Sequence, residues 1–269
     1  PAPGNSTGGP VMRYAGYHAP AAVAAFWQAG CQWLGRDGLA DRAVVRPRFS
    51  DLDPALLNEL TRVPGHYGFQ ATLAGPFRLK QGRTETELVE ALIDFAGRQR
   101  PIDLPPLTIA RLDDFFCLRP VRHSQPVQVL ASLCVRHFDR FRAPLSPSEM
   151  ARCRAARLNG YERKNLALWG HPYVFEEFRF YYPLTARILD PTLASRVQAA
   201  LHAHFASRLD LPLTLDSLCL FVEPEPGRPF RGLHSLPFSS PSSQPEDHCD
   251  HNPPHLPQNV SSGYQCHSA

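Results

Sequence analysis

The chain has 269 residues, 43% of them apolar, with a formal net charge of +3 and seven cysteines. That length can bury one large core or two smaller lobes, while no apolar run reaches the roughly eighteen residues that span a bilayer, and Pro1–Pro10 has neither the basic start nor the apolar stretch expected of a secretory leader. The cysteines are scattered and odd in number, which suits reduced, buried thiols better than a disulfide framework, so a cytoplasmic protein is expected.

Residues 1–11 are rich in Pro, Gly and Ser and read as a disordered extension, with Met12 a plausible natural start. A strand follows at Arg13–His18, then a helix from Ala21 to Leu34 stopped by Gly35, and a second helix over Pro54–Arg62 with Asp53 as its N-cap. Tyr67–Leu79 reads as strand broken at Gly75-Pro76. Thr84 and Glu87 have capping-box spacing ahead of the apolar stripe Leu88, Leu92, Ile93 and Phe95. Ile102–Arg119 reads as two strands, and a helix over Val127–Phe141 closes a first lobe. Ser146–Trp169 reads as two helices meeting near Asn159-Gly160.

The second half repeats this grammar, with a strand at Phe178–Leu184, a helix at Pro191–Leu209 and strands at Leu213–Val222 and Phe230–Leu236. Phe69-Gln70-Ala71-Thr72-Leu73 and Phe180-Tyr181-Tyr182-Pro183-Leu184 share a Phe-x-x-x-Leu frame. The expected fold class is therefore α+β and bilobal, with pseudo-symmetric lobes of about 12–145 and 146–238 facing a central cleft. Residues 239–269 are Ser/Pro/His-rich and read as a disordered tail. Its His248-Cys249-Asp250-His251 cluster matches no closed zinc site. The tail holds Glu246, Asp247 and Asp250 without a compensating Lys or Arg, which leaves the body at +6. Lys80 and Lys164 are the only lysines; the arginine enrichment fits either phosphate contacts or a GC-rich coding bias.

Several ordered segments carry a resemblance: Trp33-Leu34-Gly35-Arg36-Asp37, Tyr67-Gly68-Phe69-Gln70-Ala71-Thr72-Leu73, Pro76-Phe77-Arg78-Leu79, Trp169-Gly170-His171-Pro172-Tyr173-Val174, Glu177-Phe178-Arg179-Phe180 and Phe221-Val222-Glu223-Pro224-Glu225-Pro226-Gly227. Over roughly residues 12–238 the chain resembles the phosphonate-operon-associated branch of the two-histidine phosphoesterases. The resemblance implies two facing strands, each with a His-x-Thr or His-x-Ser motif. One imidazole serves as general base and the other as general acid on a cyclic phosphodiester, with no metal or other cofactor. It also implies a small phosphorylated sugar or nucleotide as ligand; the lack of an apolar span argues against a membrane, and the basic residues lack the aromatic interleaving of a nucleic-acid platform.

At the motif positions stand Gln70, Thr72, Tyr181 and Pro183, so only Thr72 keeps the family pattern. Gln has no titratable proton, and Tyr with an ordinary pKa near 10 is at best a proton donor. Weak or absent hydrolysis is expected, with a non-catalytic phosphate-binding or accessory role as the alternative.

Other residues could contribute. Alternation would put His66, Gly68, Gln70 and Thr72 on one strand face, against a reading of His66 as an exposed residue after Gly65. His18 ends the first strand beside the expected cleft, where a structural role competes with a catalytic one. Arg179 falls on the Tyr181 and Pro183 face, where it could bind phosphate or pair with Glu176 or Glu177. His171 is expected to pack against its turn, and His202 and His204 to form a helix's solvated flank. The sequence contains no Walker-type phosphate loop, nucleophile elbow, zinc helix or Cys-x-x-Cys pair.

Overall fold

A computed structural model describes residues 12–147, 149–151 and 158–239. Residues 1–11 and 240–269, which hold both expected extensions except Ser239 and include the His/Cys cluster of the tail, lie outside the described residues, as do residues 148 and 152–157 of the helix pair expected over Ser146–Trp169. The fold is mixed α/β, built on several open antiparallel sheets. The largest orders its strands β11-β10-β1-β4, where β1 is Arg13–His18, β4 Ala71–Phe77, β10 Ser217–Glu223 and β11 Arg231–Pro237. The second, β6-β7-β8, contains Leu107–Leu112, Phe115–Pro120 and Tyr182–Pro183. Two-stranded pairs join Arg36–Asp37 (β2) to Arg42–Ala43 (β3), and Ile102–Asp103 (β5) to Thr214–Leu215 (β9).

Both larger sheets mix strands from the two halves of the chain. β1 is flanked by β4 and β10, and β7 is flanked by β6 and β8. Long-range antiparallel pairing thus ties the N-terminal strand to the C-terminal half of the chain.

Local signals account for most helix ends. α1 spans Ala24–Leu34 and stops at Gly35, whose φ of 72° is the left-handed conformation that glycine adopts without strain. α3, Glu85–Ala96, has the Thr84–Glu87 capping box, and α5, Gly160–Trp169, has another from Asn159 and Glu162. α4 covers Gln125–Phe138 and continues as a 3-10 turn to Phe141. α6 covers Pro191–Phe205.

α2 differs from expectation. It starts under the Asp53 cap but runs from Pro54 to Tyr67, straight through Pro64. Proline at 64 removes the donor for the Leu60 carbonyl, and the amide of Ala186 takes that carbonyl at 2.6 Å instead. β4 likewise does not break at Gly75-Pro76. It is an edge strand, so the missing Pro76 N–H costs no ladder bond, and its register against β1 slips by one residue there.

The expected strand at Phe178–Leu184 shrinks to Tyr182–Pro183. Phe175 opens a 3-10 turn at a φ of 56° and the chain reaches β7 only at Tyr182. Past Pro183 the ladder is replaced: the Phe116 carbonyl accepts from the Leu184 amide, and the Phe116 amide donates to the Thr185 hydroxyl at 2.9 Å.

The core fills the space between the sheets and helices α1, α3, α4 and α6. Phe26, Phe69, Tyr182 and Phe205 are fully buried at its centre, with Phe69 stacked on Tyr182 at 5.2 Å. His204 is also buried. It bonds the Ala29 carbonyl at 2.9 Å and packs on Trp33 and Phe49, which corrects its expected place on a solvated flank. The cost of burying an imidazole is offset by that hydrogen bond. Cys31, Cys117, Cys134 and Cys219 are free and buried. Burial lifts the Cys31 and Cys117 thiols to about 12, so they stay protonated and inert. Among the described residues no helix is long and apolar enough to cross a membrane.

Candidate functional site

Strand alternation sorts the two Phe-x-x-x-Leu segments the same way. Phe69, Ala71 and Leu73 face the core, as do Tyr182 and Leu184. Gln70 and Thr72, and from the other segment Tyr181 and Pro183, face a cavity of about 590 Å³. Residues some 110 positions apart in sequence thus meet because β4 and β8 are the facing edges of the two larger sheets. The volume matches a small organic ligand.

The side chains at this cavity are poorly suited to proton transfer. The Thr72 hydroxyl donates weakly to Gln70 Oε1 at 3.5 Å, and Gln70 itself is buried. Burial pushes the Tyr181 phenol up to about 12, with Cys117 and Tyr173 adding to the shift and Arg179 opposing it. Tyr181 is therefore a neutral hydrogen-bond donor at physiological pH.

Arg179 is exposed and lines the same cavity. Among the described residues no carboxylate lies within ion-pair distance of it, so of the two alternatives read from the sequence the pair with Glu176 or Glu177 does not form. The neighbouring arginines are engaged: Arg78 pairs with Glu149 at 3.1 Å and Arg187 with Asp114 at 2.5 Å.

The two other histidines singled out in the sequence lie away from the cavity. His66 is in the last turn of α2 and not on β4, because the helix outruns Pro64. It is half-buried, 3.5 Å from Glu223, with its ring against Tyr67 and Phe230. Glu223 is fully buried and also accepts from Arg13 and the Gly227 amide. Burial raises this carboxyl, yet those donors outweigh it and hold the pKa below the usual range. His18 is fully buried as well, its Nδ1 2.8 Å from the Tyr182 hydroxyl. Burial lowers it to about 4.

His171, expected only to pack against its turn, also lines the cavity. Its ring lies against Gly75, where an added methyl carbon would meet Cδ2 at 2.6 Å. Nδ1 accepts the Tyr173 amide proton at 3.3 Å, which leaves the proton of the neutral ring on Nε2. Burial holds its pKa near 4, so it stays neutral at pH 7. The signal was the glycine: Gly75 sits in strand β4, where a side chain would normally add packing.

The architecture is that of a mixed α/β protein with a ligand-sized cavity between the facing edges of two antiparallel sheets. The chain belongs to a family described as a protein of unknown function, DUF1045, whose model matches residues 72–231. It is 35% identical over 232 residues to a ribose 1,5-bisphosphate phosphokinase PhnN of Janthinobacterium sp. (strain Marseille), covering 85% of this chain and 51% of that one. It is 36% identical over 227 residues to a protein of the same name from Laribacter hongkongensis (strain HLHK9), covering 82% and 50%. The chain thus spans about half the length of the curated relatives it matches.

Proposed function

We propose that this chain is a two-histidine-phosphoesterase-like, phosphonate-associated cytoplasmic protein whose central cavity binds a small phosphorylated sugar or nucleotide, with hydrolysis weak or absent. In this reading residues 12–238 form a single bilobal domain flanked by extensions at 1–11 and 239–269. The observation that carries it is the convergence of Gln70, Thr72, Tyr181 and Pro183 on one cavity from two facing strands.

Thr72 and Arg179 supply a hydroxyl and an unpaired guanidinium for phosphate oxygens. Tyr181 and His171 add neutral donors. None of these groups is a base near pH 7, and loss of a positioned acid and base forfeits about 10²- to 10⁴-fold in rate for each. The relatives named for a kinase of ribose 1,5-bisphosphate support a phosphorylated sugar as the ligand class.

The test compares hydrolysis of a ribosyl cyclic phosphate by this protein and by the folded Gln70→His, Tyr181→His, Pro183→Thr variant, alongside binding of ribose 5-phosphate to each. Binding by both with turnover only in the variant is expected. Comparable turnover by the unaltered protein would overturn the reading of its chemistry, and failure of both to bind would overturn the ligand class.

A further inference from the structure

A second cavity of about 200 Å³ opens beside the first and shares Leu112, Phe178, Arg179 and Tyr181 with it. Its remaining wall includes Arg119 near the end of β7, Arg122 and His123 in the following turn, and Ser124 at the start of α4. Among the described residues no carboxylate lines it, and none of the Arg119, Arg122 and Arg179 side chains makes an ion pair or hydrogen bond. His123 is 2.6 Å from Gln128 Oε1.

The charge distribution is lopsided. The main cavity sets Asp113 and Glu162 against Arg179, whereas the second has three guanidinium groups and no acid. The Ser124 hydroxyl makes no capping bond, and the positive end of the fourteen-residue helix α4 adds to the same field. Three like charges left around one concavity repel one another and gain from a shared multivalent anion; arginine provides the planar donor fork that phosphoryl oxygens fit.

We propose that the second cavity is a phosphoryl-binding subsite continuous with the main one, Arg179 lying at the junction. The ligand then carries two phosphoryl groups separated by a sugar-sized spacer, one held near Thr72 and Arg179 and the other by Arg119 and Arg122. This rests on the reading of the main cavity as a phosphorylated-ligand site and specifies its substrate class.

Calorimetric titration with ribose 5-phosphate and ribose 1,5-bisphosphate tests it, using the protein, the Arg119→Gln, Arg122→Gln variant and an Arg48→Gln, Arg100→Gln variant that removes the same charge elsewhere. All the substituted arginines are exposed, so folding is expected to survive. The bisphosphate should bind about tenfold tighter than the monophosphate or better, as expected of charge-assisted contacts. The first variant should lose that advantage with its monophosphate affinity unchanged, and the second should keep it. Monophosphate binding with no bisphosphate advantage, or equal weakening of both ligands in the first variant, would overturn the subsite alone. No binding of either ligand would overturn the main-cavity reading and this proposal with it.

Discussion

The carbonyl of Leu60, left without a helical partner by Pro64, accepts the Ala186 amide proton at 2.6 Å. One bond thereby fixes the segment just past β8 to the middle of α2. Because a carbonyl has two lone pairs, Pro64→Ala should restore the helical donor without evicting Ala186. The substitution is expected to stabilise the protein by about 1–2 kcal/mol, less than the full helix penalty of proline since the unfolded chain also gains freedom. Urea midpoints measure the first effect and amide exchange at Ala186 the second. A destabilised variant with a fast Ala186 amide would show that the carbonyl cannot serve both donors.

His18 should make stability fall on acidification. Its folded pKa of about 4 lies below the ordinary 6.5, so the unfolded chain binds the extra proton first. Its contribution is complete above pH 6.5 and is lost as the pH falls toward 4, on the order of 2 kcal/mol by pH 5. Facing groups are the Tyr182 hydroxyl, the Phe180 ring, Asp216 and the Thr214 backbone; only Asp216 is charged, and it and the Thr214 backbone raise the pKa against the larger lowering by burial. Comparing unfolding at pH 7 and pH 5 with that of His18→Gln checks this. Equal acid sensitivity in the two proteins would assign the loss elsewhere.

Gly30 of α1 leaves room for the Phe69 ring: a methyl carbon there would lie 2.1 Å from Phe69 Cδ1. Gly30→Ala should therefore destabilise by about 1–3 kcal/mol through overpacking, despite alanine's better helix propensity. It should also disturb Gln70, the next residue along, and so weaken ribose 5-phosphate binding. Thermal denaturation and titration together test this; a more stable Gly30→Ala protein would mean that Phe69 yields freely.

At Gly75 the neighbour is His171. Gly75→Ala should push that ring from β4 toward solvent, raising its pKa from about 4 toward 6.5. An NMR titration of the imidazole reads the change directly, and an unmoved pKa would show that the ring keeps its seat.

Much of the fold was legible because local chemistry decided it. Asp53, Thr84 and Gly35 each fix a helix end through bonds to nearby backbone and were readable as such, and Asn159, which caps α5, was readable as a break between helices. The Phe-x-x-x-Leu pair was legible through the alternation that sends Ala71 and Tyr182 inward. What escaped depended on distant partners. The helix passes Pro64 only because Ala186 answers Leu60, and this carries His66 off the expected strand. His204 is inside because Ala29 offers a carbonyl. His171 faces the cavity because Gly75, nearly a hundred residues earlier, has no side chain.

The two proline-bearing edges have a mechanical consequence. β4 carries Pro76 and β8 carries Pro183, each at the rim of its sheet. Neither residue can donate a backbone proton, so a continuous ladder across the gap would lack donors on both banks. The sheets stay unzipped, and the seam between them is held by side-chain packing such as Phe69 on Tyr182. The backbone pairing that remains between them runs through β5 and β9, where Ile102 and Asp103 face Leu215 and Thr214, so the sheets are tied at one end and packed by side chains along the cavity.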